Sequence, residues 1–322
     1  MWSVNQATQL LSRRAFAWSL VGAALGRASI AAESDRPGRL VWNAEKTPRL
    51  SFERRYRADA QVLLFGLPLL RRDDVGGGSV LWREYNAGGA PRLLEFSGFS
   101  TPARAAGLNR LGFIREMADS SESGGPECGY FGLMTASPEE SAAEARKSLH
   151  SGAKEQVYTA IEGRVTAGET ETVIAHFTAP ATLSGENRAE LVERARGALA
   201  SVAEVRTAGP ARETSHSFLQ ELAGLLMRPD GKEGRFIYSG RPYLLRLTRS
   251  VDAKATGYFR ERRLIAGPVE VVRVAGWLRR EAGGKETEFR LWVPSAAERP
   301  LPLRIEYQAK SYLRLVFEAV AG

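Results

Sequence analysis

The sequence predicts an α+β fold made mostly of antiparallel strands, as a curved sheet or incomplete β-barrel with a helical insertion packed against it. Apolar and polar residues alternate in three successive runs from Glu288 to Ala319 and in one long run from Leu50 to Leu64. This is the period of half-buried strands. Segments with helical periodicity lie together between the two sheet regions, an order that argues against a doubly wound parallel sheet.

Residues 1–32 have the parts of an export signal. Arg13 and Arg14 precede a short apolar segment from Ala15 to Gly26, and a charged start before an apolar centre is typical of such signals. The arginine pair with Phe16 resembles the twin-arginine type, although Ala17 stands where that type commonly has leucine. The resemblance implies the twin-arginine export machinery as a partner.

Cleavage is expected after Ala31 or Ala32, which leaves the mature chain periplasmic or otherwise extracytoplasmic. An N-terminal membrane anchor is the alternative, but about 12 apolar residues are too few to cross a bilayer. The sequence predicts a polar leader at residues 33–48 and a single β-rich domain at residues 49–322. Within that domain we expect a helical and irregular insertion at about residues 101–230.

Charge and cysteine content narrow the possible partners. The formal net charge is +8 and falls to about +5 once Arg13, Arg14 and Arg27 leave with the signal. Arginine and glutamate alternate rather than form basic blocks, so nucleic acid is a poor candidate for a partner. Weak attraction to anionic envelope surfaces is a better expectation. The single cysteine, Cys128, excludes an intrachain disulfide. No later segment approaches transmembrane length.

The first sheet region is expected to contain several antiparallel strands. The run from Leu50 to Leu64 ends at Gly66-Leu67-Pro68, and Arg71 to Gly78 is interpreted as a turn region with a flexible triple-glycine hairpin turn. Two shorter strands follow, from Val80 to Tyr85 and from Arg92 to Phe99.

The middle of the chain is expected to be helical and irregular. Periodicity fades from Thr101 to Gly129, and residues 120–129 have the composition of a surface loop. Helices are predicted from the caps Ser137 and Ser184 and from Ser215 to Met227. The sequence also predicts one hairpin around residues 167–169.

Strands are expected to return after this insertion and to continue to the end of the chain. They are Phe236 to Tyr238, Tyr243 to Ser250, Ala255 to Leu264, Val269 to Arg280 and the three-stranded meander between Glu288 and Ala319. Glycine and proline separate them at spacings typical of antiparallel neighbours.

The C-terminal third combines the predicted helix Phe218 to Met227, the strand Tyr243 to Leu247, and Leu291-Trp292-Val293 leading to Pro302-Leu303-Arg304-Ile305-Glu306. In these segments it resembles a domain family of unknown function found in bacterial periplasmic and envelope proteins. Ala296-Ala297-Glu298 stands where that family usually has an aspartate. The resemblance implies a curved β-sheet fold and export, and it implies no particular reaction.

Candidate catalytic groups are few and do not form known motifs. The three histidines, His150, His176 and His216, have no partner at metal-ligand spacing, and no cofactor motif is evident. Ser97 lacks the glycine and the strand-to-helix context of a nucleophile elbow, and Cys128 has no histidine near it in sequence. The sequence therefore assigns no catalytic residue, no metal ligand and no cofactor.

Aromatic residues on predicted strands suggest a different kind of site. The candidates for contact with a ligand are Trp82, Tyr258, Trp277, Trp292 and Tyr307. A curved sheet closing over a helix can leave a cleft lined by such rings, which would suit a lipid or another hydrophobic ligand, although the same rings can simply fill a core. Binding of a hydrophobic or amphipathic envelope component, or a scaffolding role in the envelope, is therefore our leading hypothesis. A periplasmic hydrolase with its site in the same cleft is the alternative.

Overall fold

The structure is a computed structural model, and it describes the part of the chain that holds the sheet. The described residues are 50–64, 67–84, 93–105, 109–121, 125–136, 155–166, 170–202, 206–208, 216–284, 286–295, 297–310 and 313–321. The predicted signal with Arg13, Arg14, Phe16 and Ala31, the polar leader, and the helix predicted from Ser137 with His150 lie outside these ranges.

Within the described ranges, fourteen strands form one antiparallel sheet. The strands are β1 (Leu50–Leu64), β2 (Leu67–Glu84), β3 (Leu93–Ser100), β4 (Leu111–Ser121), β5 (Gly125–Thr135), β6 (Glu155–Val165), β7 (Thr170–Pro180), β8 (Arg206–Ala208), β9 (Glu233–Tyr238), β10 (Arg241–Val251), β11 (Val271–Arg280), β12 (Thr287–Pro294), β13 (Arg304–Lys310) and β14 (Leu313–Ala319). The helices described are α1 (Arg188–Ala200), α2 (Phe218–Met227) and α3 (Ala253–Glu261), and a 3₁₀ turn at Gly185–Asn187 precedes α1.

The strand order makes the sheet an incomplete barrel. Each strand from β1 to β8 pairs with its neighbour in sequence, as does each strand from β9 to β14, and β1 pairs with β14 along Tyr56 to Val62. The two ends of the order, β8 and β9, do not pair, so one seam stays unsealed. The predicted α+β class and the incomplete barrel are confirmed.

The C-terminal meander forms as its alternation predicts. β12, β13 and β14 are neighbours in the order of the sequence, with Leu291 opposite Ile305 and Ile305 opposite Phe317. These three side chains belong to the main core cluster. Apolar side chains with a period of two thus face inward, as antiparallel strands with one packed face require.

Two sequence-based predictions about local structure are wrong. Residues Ala255 to Leu264, predicted as a strand, lie in and after helix α3, which Asp252 begins by accepting a hydrogen bond from the backbone N–H of Ala255 at 2.9 Å. The stretch Thr101 to Gly129, predicted as irregular, contains β4 and the start of β5. The insertion predicted at residues 101–230 therefore supplies strands to the same sheet as well as helices.

The triple glycine is also placed differently from the prediction. Gly76, Gly77 and Gly78 lie inside β2, paired with β1 on one side and with β3 on the other. A Cβ atom added at Gly76 would lie 1.9 Å from the carbonyl oxygen of Phe99. The glycines therefore allow a close approach of strands at a bend, which is a usual reason for glycine inside a strand.

We expect Gly76→Ala to destabilise the fold by about 1–3 kcal/mol, because the new methyl group meets backbone rather than a movable side chain. Gly224→Ala is the matched control, since a Cβ at that helical position has no atom within 4 Å and should stabilise by about 0.5–1 kcal/mol. Urea unfolding of both variants measures the difference. Equal stability of Gly76→Ala and the wild type would contradict the close approach.

The three described helices cover different faces of the sheet. Helix α2 lies within the curve of the barrel, where Leu225 is part of the main core and four further side chains of the helix pack against it. Helix α1 covers the outer face of β4 to β7 with Leu191, Val192, Ala195 and Leu199. Helix α3 covers the outer face near Trp292 and Leu303. The internal helix is the element that shapes the candidate site.

Candidate functional site

Helix α2 has the composition of a helix that is surrounded by other residues. Apart from Gln220, Glu221 and Gly224, its residues are apolar, and a helix that is apolar all round belongs in an interior. Phe218 contacts rings from two separate strands, Phe236 at 5.3 Å and Phe289 at 6.4 Å between ring centroids. The barrel interior is therefore filled by this helix on the side of β9 and β12.

An apolar cavity of about 110 Å³ lies between α2 and the inner faces of β2, β3 and β12 to β14. Its lining consists of Val80, Trp82, Leu94, Glu95, Phe96, Phe218, Leu219, Leu222, Ala223, Leu226, Phe289, Leu291, Pro300, Leu301, Pro302, Ile305, Tyr307 and Phe317. Dry apolar cavities of roughly 150 Å³ are known to accept a benzene-sized molecule. This cavity thus has room for the end of a hydrocarbon chain but not for a whole lipid.

Glu95 is the one carboxylate among the lining residues, and its carboxylate lies on the side of β3 away from the cavity. Leu94 and Phe96 on either side of it belong to inward-facing clusters, so alternation places Glu95 on the outer face of β3. There it accepts a hydrogen bond from Arg115 Nε at 2.6 Å. The side chains that face the cavity are therefore apolar, with Tyr307 as a partly polar member.

The connection between β12 and β13 covers one end of the barrel beside the cavity. We call residues 297–303 of this connection the mouth loop. Arg54 Nη1 donates to the carbonyl of Leu301 at 2.6 Å, and Tyr56 Oη donates to the carbonyl of Pro302 at 2.7 Å. Both donors come from β1, on the far side of β13 and β14, so these bonds hold the loop across the barrel end.

The mouth loop is also fixed by an ion pair. Arg299 donates to both oxygens of Glu84, a residue with 1 % exposure, and its guanidinium lies 4.0 Å from the centre of the Phe52 ring. Glu84 also accepts a hydrogen bond from Trp82 Nε1 at 2.8 Å. A cavity-lining tryptophan and the loop that closes the cavity are therefore coupled through one buried carboxylate.

Helix α2 is capped by a carboxylate from the opposite side of the barrel. Glu116 Oε2, on β4, accepts from Ser217 Oγ at 2.5 Å and from the backbone N–H of Gln220 at 2.9 Å. Ser217 is the N-cap residue, but its own side chain makes no capping bond. Glu116 therefore satisfies N–H groups that a helix N-terminus otherwise leaves unpaired, and it places a negative charge at the positive end of the helix dipole.

Burial makes this capping carboxylate hard to ionise. Glu116 has 0 % exposure, and within the described part of the chain its Oε1 atom has no hydrogen-bond partner. Loss of hydration raises the pKa of Glu116 to about 7, against the smaller lowering effects of the hydrogen bonds from Leu219, Ser217 and Gln220. The cap therefore changes its charge near neutral pH.

Cys128 completes this buried polar cluster. Its Sγ lies 2.8 Å from Ser217 Oγ, and because that hydroxyl donates to Glu116, the thiol acts as the donor to the serine oxygen. Cys128 and Ser217 have exposures of 1 % and 0 %. A thiol shielded in this way has no access to substrate, so the cluster acts as a helix anchor.

The five aromatic candidates are divided between the two faces of the sheet. Trp82 and Tyr307 line the cavity. Trp292 and Tyr258 lie in the outer cluster under helix α3, and Trp277 lies between the inward-facing Gly276 and Leu278, so its ring is on the outer face. The structure therefore brings Trp82 and Tyr307 together at this cavity and places Tyr258, Trp277 and Trp292 on the other face of the sheet.

The described histidines have structural partners and lie apart from the cavity. His176 Nδ1 is 3.1 Å from Thr159 Oγ1, and His216 Nδ1 is 2.9 Å from Glu221 Oε2. In the part of the chain that the structure describes, no three His, Cys, Asp or Glu side chains meet as metal ligands would. No helix within that part is long and apolar enough to cross a membrane.

Sequence reasoning did not find Glu116, the mouth loop or Ala223. Glu116 meets Ser217 across 101 positions of sequence, and nothing local signals such a contact. Pro300-Leu301-Pro302 did carry a signal, because two prolines beside a leucine cannot continue a ladder and yet are apolar. An apolar loop between two strands needs a place to bury its side chains, and here that place is the cavity.

These features define a class of protein, namely a barrel-like antiparallel sheet, open at one seam, that encloses an apolar helix with an apolar cavity beside it. Comparisons with protein-family models, with curated proteins and with solved structures found no match. The resemblance to an envelope domain family of unknown function stays a prediction. The function is accordingly argued from the geometry of the site.

Proposed function

We propose that this protein is exported and binds the hydrocarbon part of a hydrophobic or amphipathic envelope component in the cavity beside helix α2. The observation that carries the proposal is the cavity itself, about 110 Å³ of space walled by apolar side chains beside helix α2. Natural interiors are close-packed, and an unfilled apolar space reduces stability by about 24 cal/mol per Å³. A ligand chain would recover that loss.

The mouth loop supports an amphipathic ligand with an anionic head group. Arg54 and Arg299 lie beside Leu301 and Pro300, which line the cavity. A carboxylate or phosphate at the end of a chain held in the cavity would meet these guanidinium groups, which suit such anions. Burial lowers the pKa of Arg54 from its usual value, and an anionic head group would offset that effect.

A hydrolytic function has less support in this site. Catalysis would require titratable groups that converge on bound substrate, whereas the one carboxylate among the lining residues is bonded to Arg115 on the outer face. Binding is therefore the function that the geometry favours.

Native mass spectrometry of the protein purified from its own envelope fraction tests the proposal. We expect a bound mass of lipid size that is lost after extraction with organic solvent, since an apolar ligand in a dry cavity dissociates slowly in water. A protein stripped by the same extraction and then incubated with a fatty acid should regain a bound mass. Absence of bound mass in both samples would contradict the proposal.

A further inference from the structure

The hairpin of β1 and β2 projects beyond its neighbours in the sheet. β2 pairs with β1 from Leu67 onward, but β3 pairs with β2 only from Gly76 onward. On the other side, β14 pairs with β1 only as far as Val62. Leu63–Leu64 of β1 and Leu67–Pro68 of β2 thus extend beyond both neighbours as a two-stranded tip, and β2 continues from Leu69 to Val75 as an edge without β3. We call residues 63–64 and 67–75 the finger.

The finger exposes apolar side chains in succession. Leu69 and Leu70 are 61 % and 45 % exposed, and Pro68 before them is exposed as well. The sequence from Val62 to Leu70, VLLFGLPLL, contains no polar residue, so the alternation of the other strands is lost here. A strand with apolar residues on both faces normally has a covering layer on each side.

Arginines follow the apolar residues directly. Arg71 is 53 % exposed and bonds to Asp59 at 2.7 Å and to Asp73 at 2.5 Å, and Arg72 follows it on β2. An apolar end followed by arginines is the arrangement of segments at a membrane surface, where apolar groups enter the acyl boundary and long cationic side chains reach the phosphates. The formal net charge is +8 for the whole chain and about +5 without the predicted signal, and either excess favours an anionic surface.

The shape of the finger argues against another protein as the covering layer. A stable protein interface buries roughly 800 Å² on each partner, and among the finger's described side chains the exposed apolar ones are Pro68, Leu69 and Leu70, which together offer far less than that. Insertion into a bilayer requires no complementary surface. We infer that the finger docks the protein on an anionic lipid bilayer, with Pro68, Leu69 and Leu70 inserted and Arg71 and Arg72 at the head groups.

This docking site is independent of the cavity. The strands alternate in direction, so the finger lies at the end of the barrel where β14 begins, and the mouth loop lies at the opposite end, where β13 begins. Loss of docking would therefore leave the cavity and the proposed function untouched.

Selective labelling provides the test, because Cys128 is the single cysteine and is buried. Leu69→Cys in the full chain is labelled with an environment-sensitive fluorophore and mixed with vesicles of equal parts phosphatidylglycerol and phosphatidylcholine. The control is Val251→Cys, at a position 58 % exposed at the end of β10, the end of the barrel opposite the finger. We expect a blue shift and quenching by brominated lipid at position 69 and neither at position 251.

A second measurement uses vesicle flotation with the same lipids. Leu69→Ser combined with Leu70→Ser should reduce the bound fraction at least about tenfold. The control, Val251→Ser combined with Val320→Ser, removes two other exposed apolar side chains and should leave it unchanged. All variants share the same N-terminal segment, so its own affinity for lipid cancels.

Three outcomes would overturn the inference. One is a label at position 69 that stays in water while the protein floats with the vesicles. Another is equal flotation of the finger variant and the control variant. The third is a blue shift at position 69 that grows with protein concentration without lipid, which would identify a second copy of the chain as the covering layer.

Discussion

Replacing Glu116 with glutamine is expected to make the protein more stable above pH 7 and to leave its stability unchanged near pH 4. The carboxylate is buried and its pKa is raised to about 7, whereas an unfolded glutamate titrates near 4.3. Between these values the folded state binds more protons than the unfolded state. The free energy of unfolding of the wild type therefore falls as pH rises through this window.

The expected size of this effect is large for one side chain. The pKa difference corresponds to about 3–4 kcal/mol, lost progressively from about pH 4.5 and fully absent above about pH 7. The amide oxygen of glutamine can still accept from Ser217 Oγ and from the backbone N–H of Gln220. Glu116→Gln thus imitates the protonated carboxyl group at every pH. Urea unfolding at a series of pH values measures the difference.

Two further variants separate the charge from the cap. Glu116→Ala removes the acceptor, so we expect it to be about 2–4 kcal/mol less stable than Glu116→Gln at all pH values. Glu193→Gln removes an exposed carboxylate on helix α1 and should change stability by at most about 0.5 kcal/mol. Parallel pH profiles for Glu116→Gln and the wild type would show that Glu116 does not titrate in this window.

The pH dependence matters for function because Glu116 holds the helix that forms one wall of the cavity. Ser217 and Gln220 anchor the start of α2, and Leu219, Leu222 and Ala223 in the next turns line the cavity. When Glu116 ionises in this buried environment, the anchored position of helix α2 as a wall of the cavity becomes less stable. Ligand access is therefore expected to be easier at neutral pH than at acidic pH.

The sequence predicted the meander, whose apolar residues alternate, and missed β4, which buries apolar side chains on both faces. Apolar and polar residues alternate in the meander after Glu288 because helix α3 covers only part of its outer face and the rest meets solvent. On β4, Phe113 packs under helix α1 while Ile114 packs in the barrel core. Apolar residues are then needed at both odd and even positions, so the period that marks a strand disappears.

Glycine content misled the sequence reasoning in two other strands. β5 contains Gly129 and Gly132, and β2 contains the triple glycine, which out of context are typical of loops. In the fold, a Cβ at Gly132 would lie 2.5 Å from Tyr238 Oη, a residue of β9 in the main core. Gly132 and the triple glycine are explained by close contacts between distant parts of the chain, which local sequence does not report.

The site depended on the same kind of distant contact. Trp82 and Tyr307, which line the cavity, could be selected from the sequence as aromatic residues on strands, but the face that each ring occupies depends on the register of its strand. Tyr258 was selected in the same way and lies in a helix. A one-residue difference in register moves a side chain to the opposite face. The sequence could therefore not indicate which aromatic residues lie on the same face of the sheet.

Filling the cavity with a larger side chain is expected to abolish binding while keeping the fold. Ala223 is buried on helix α2 and clusters with Trp82, Leu94 and Leu301 at the mouth of the cavity. Ala223→Leu adds three carbon atoms in the space proposed for the ligand chain. We expect the affinity for a fluorescent fatty acid, measured by titration, to fall at least about tenfold, while the unliganded protein gains up to about 1–2 kcal/mol of stability because the void is filled.

Matched variants make this outcome interpretable. Ala200→Leu, at the exposed end of helix α1, should change neither binding nor stability appreciably. Ala223→Val should give an intermediate loss of affinity, which guards against overpacking by leucine. A stable Ala223→Leu protein with unchanged affinity would place the fatty acid elsewhere, and the cavity would then be only a packing defect.

Opposite changes in stability and affinity are what distinguish a binding cavity from a defect. A defect costs stability and serves no ligand, so filling it improves the protein without loss. A binding site costs stability in the free protein because its ligand is absent, so filling it improves stability and removes binding together. Ala223→Leu should therefore raise stability whether the cavity is a binding site or a packing defect. It should lower affinity for the fatty acid only if the cavity is the binding site, so affinity is the deciding measurement.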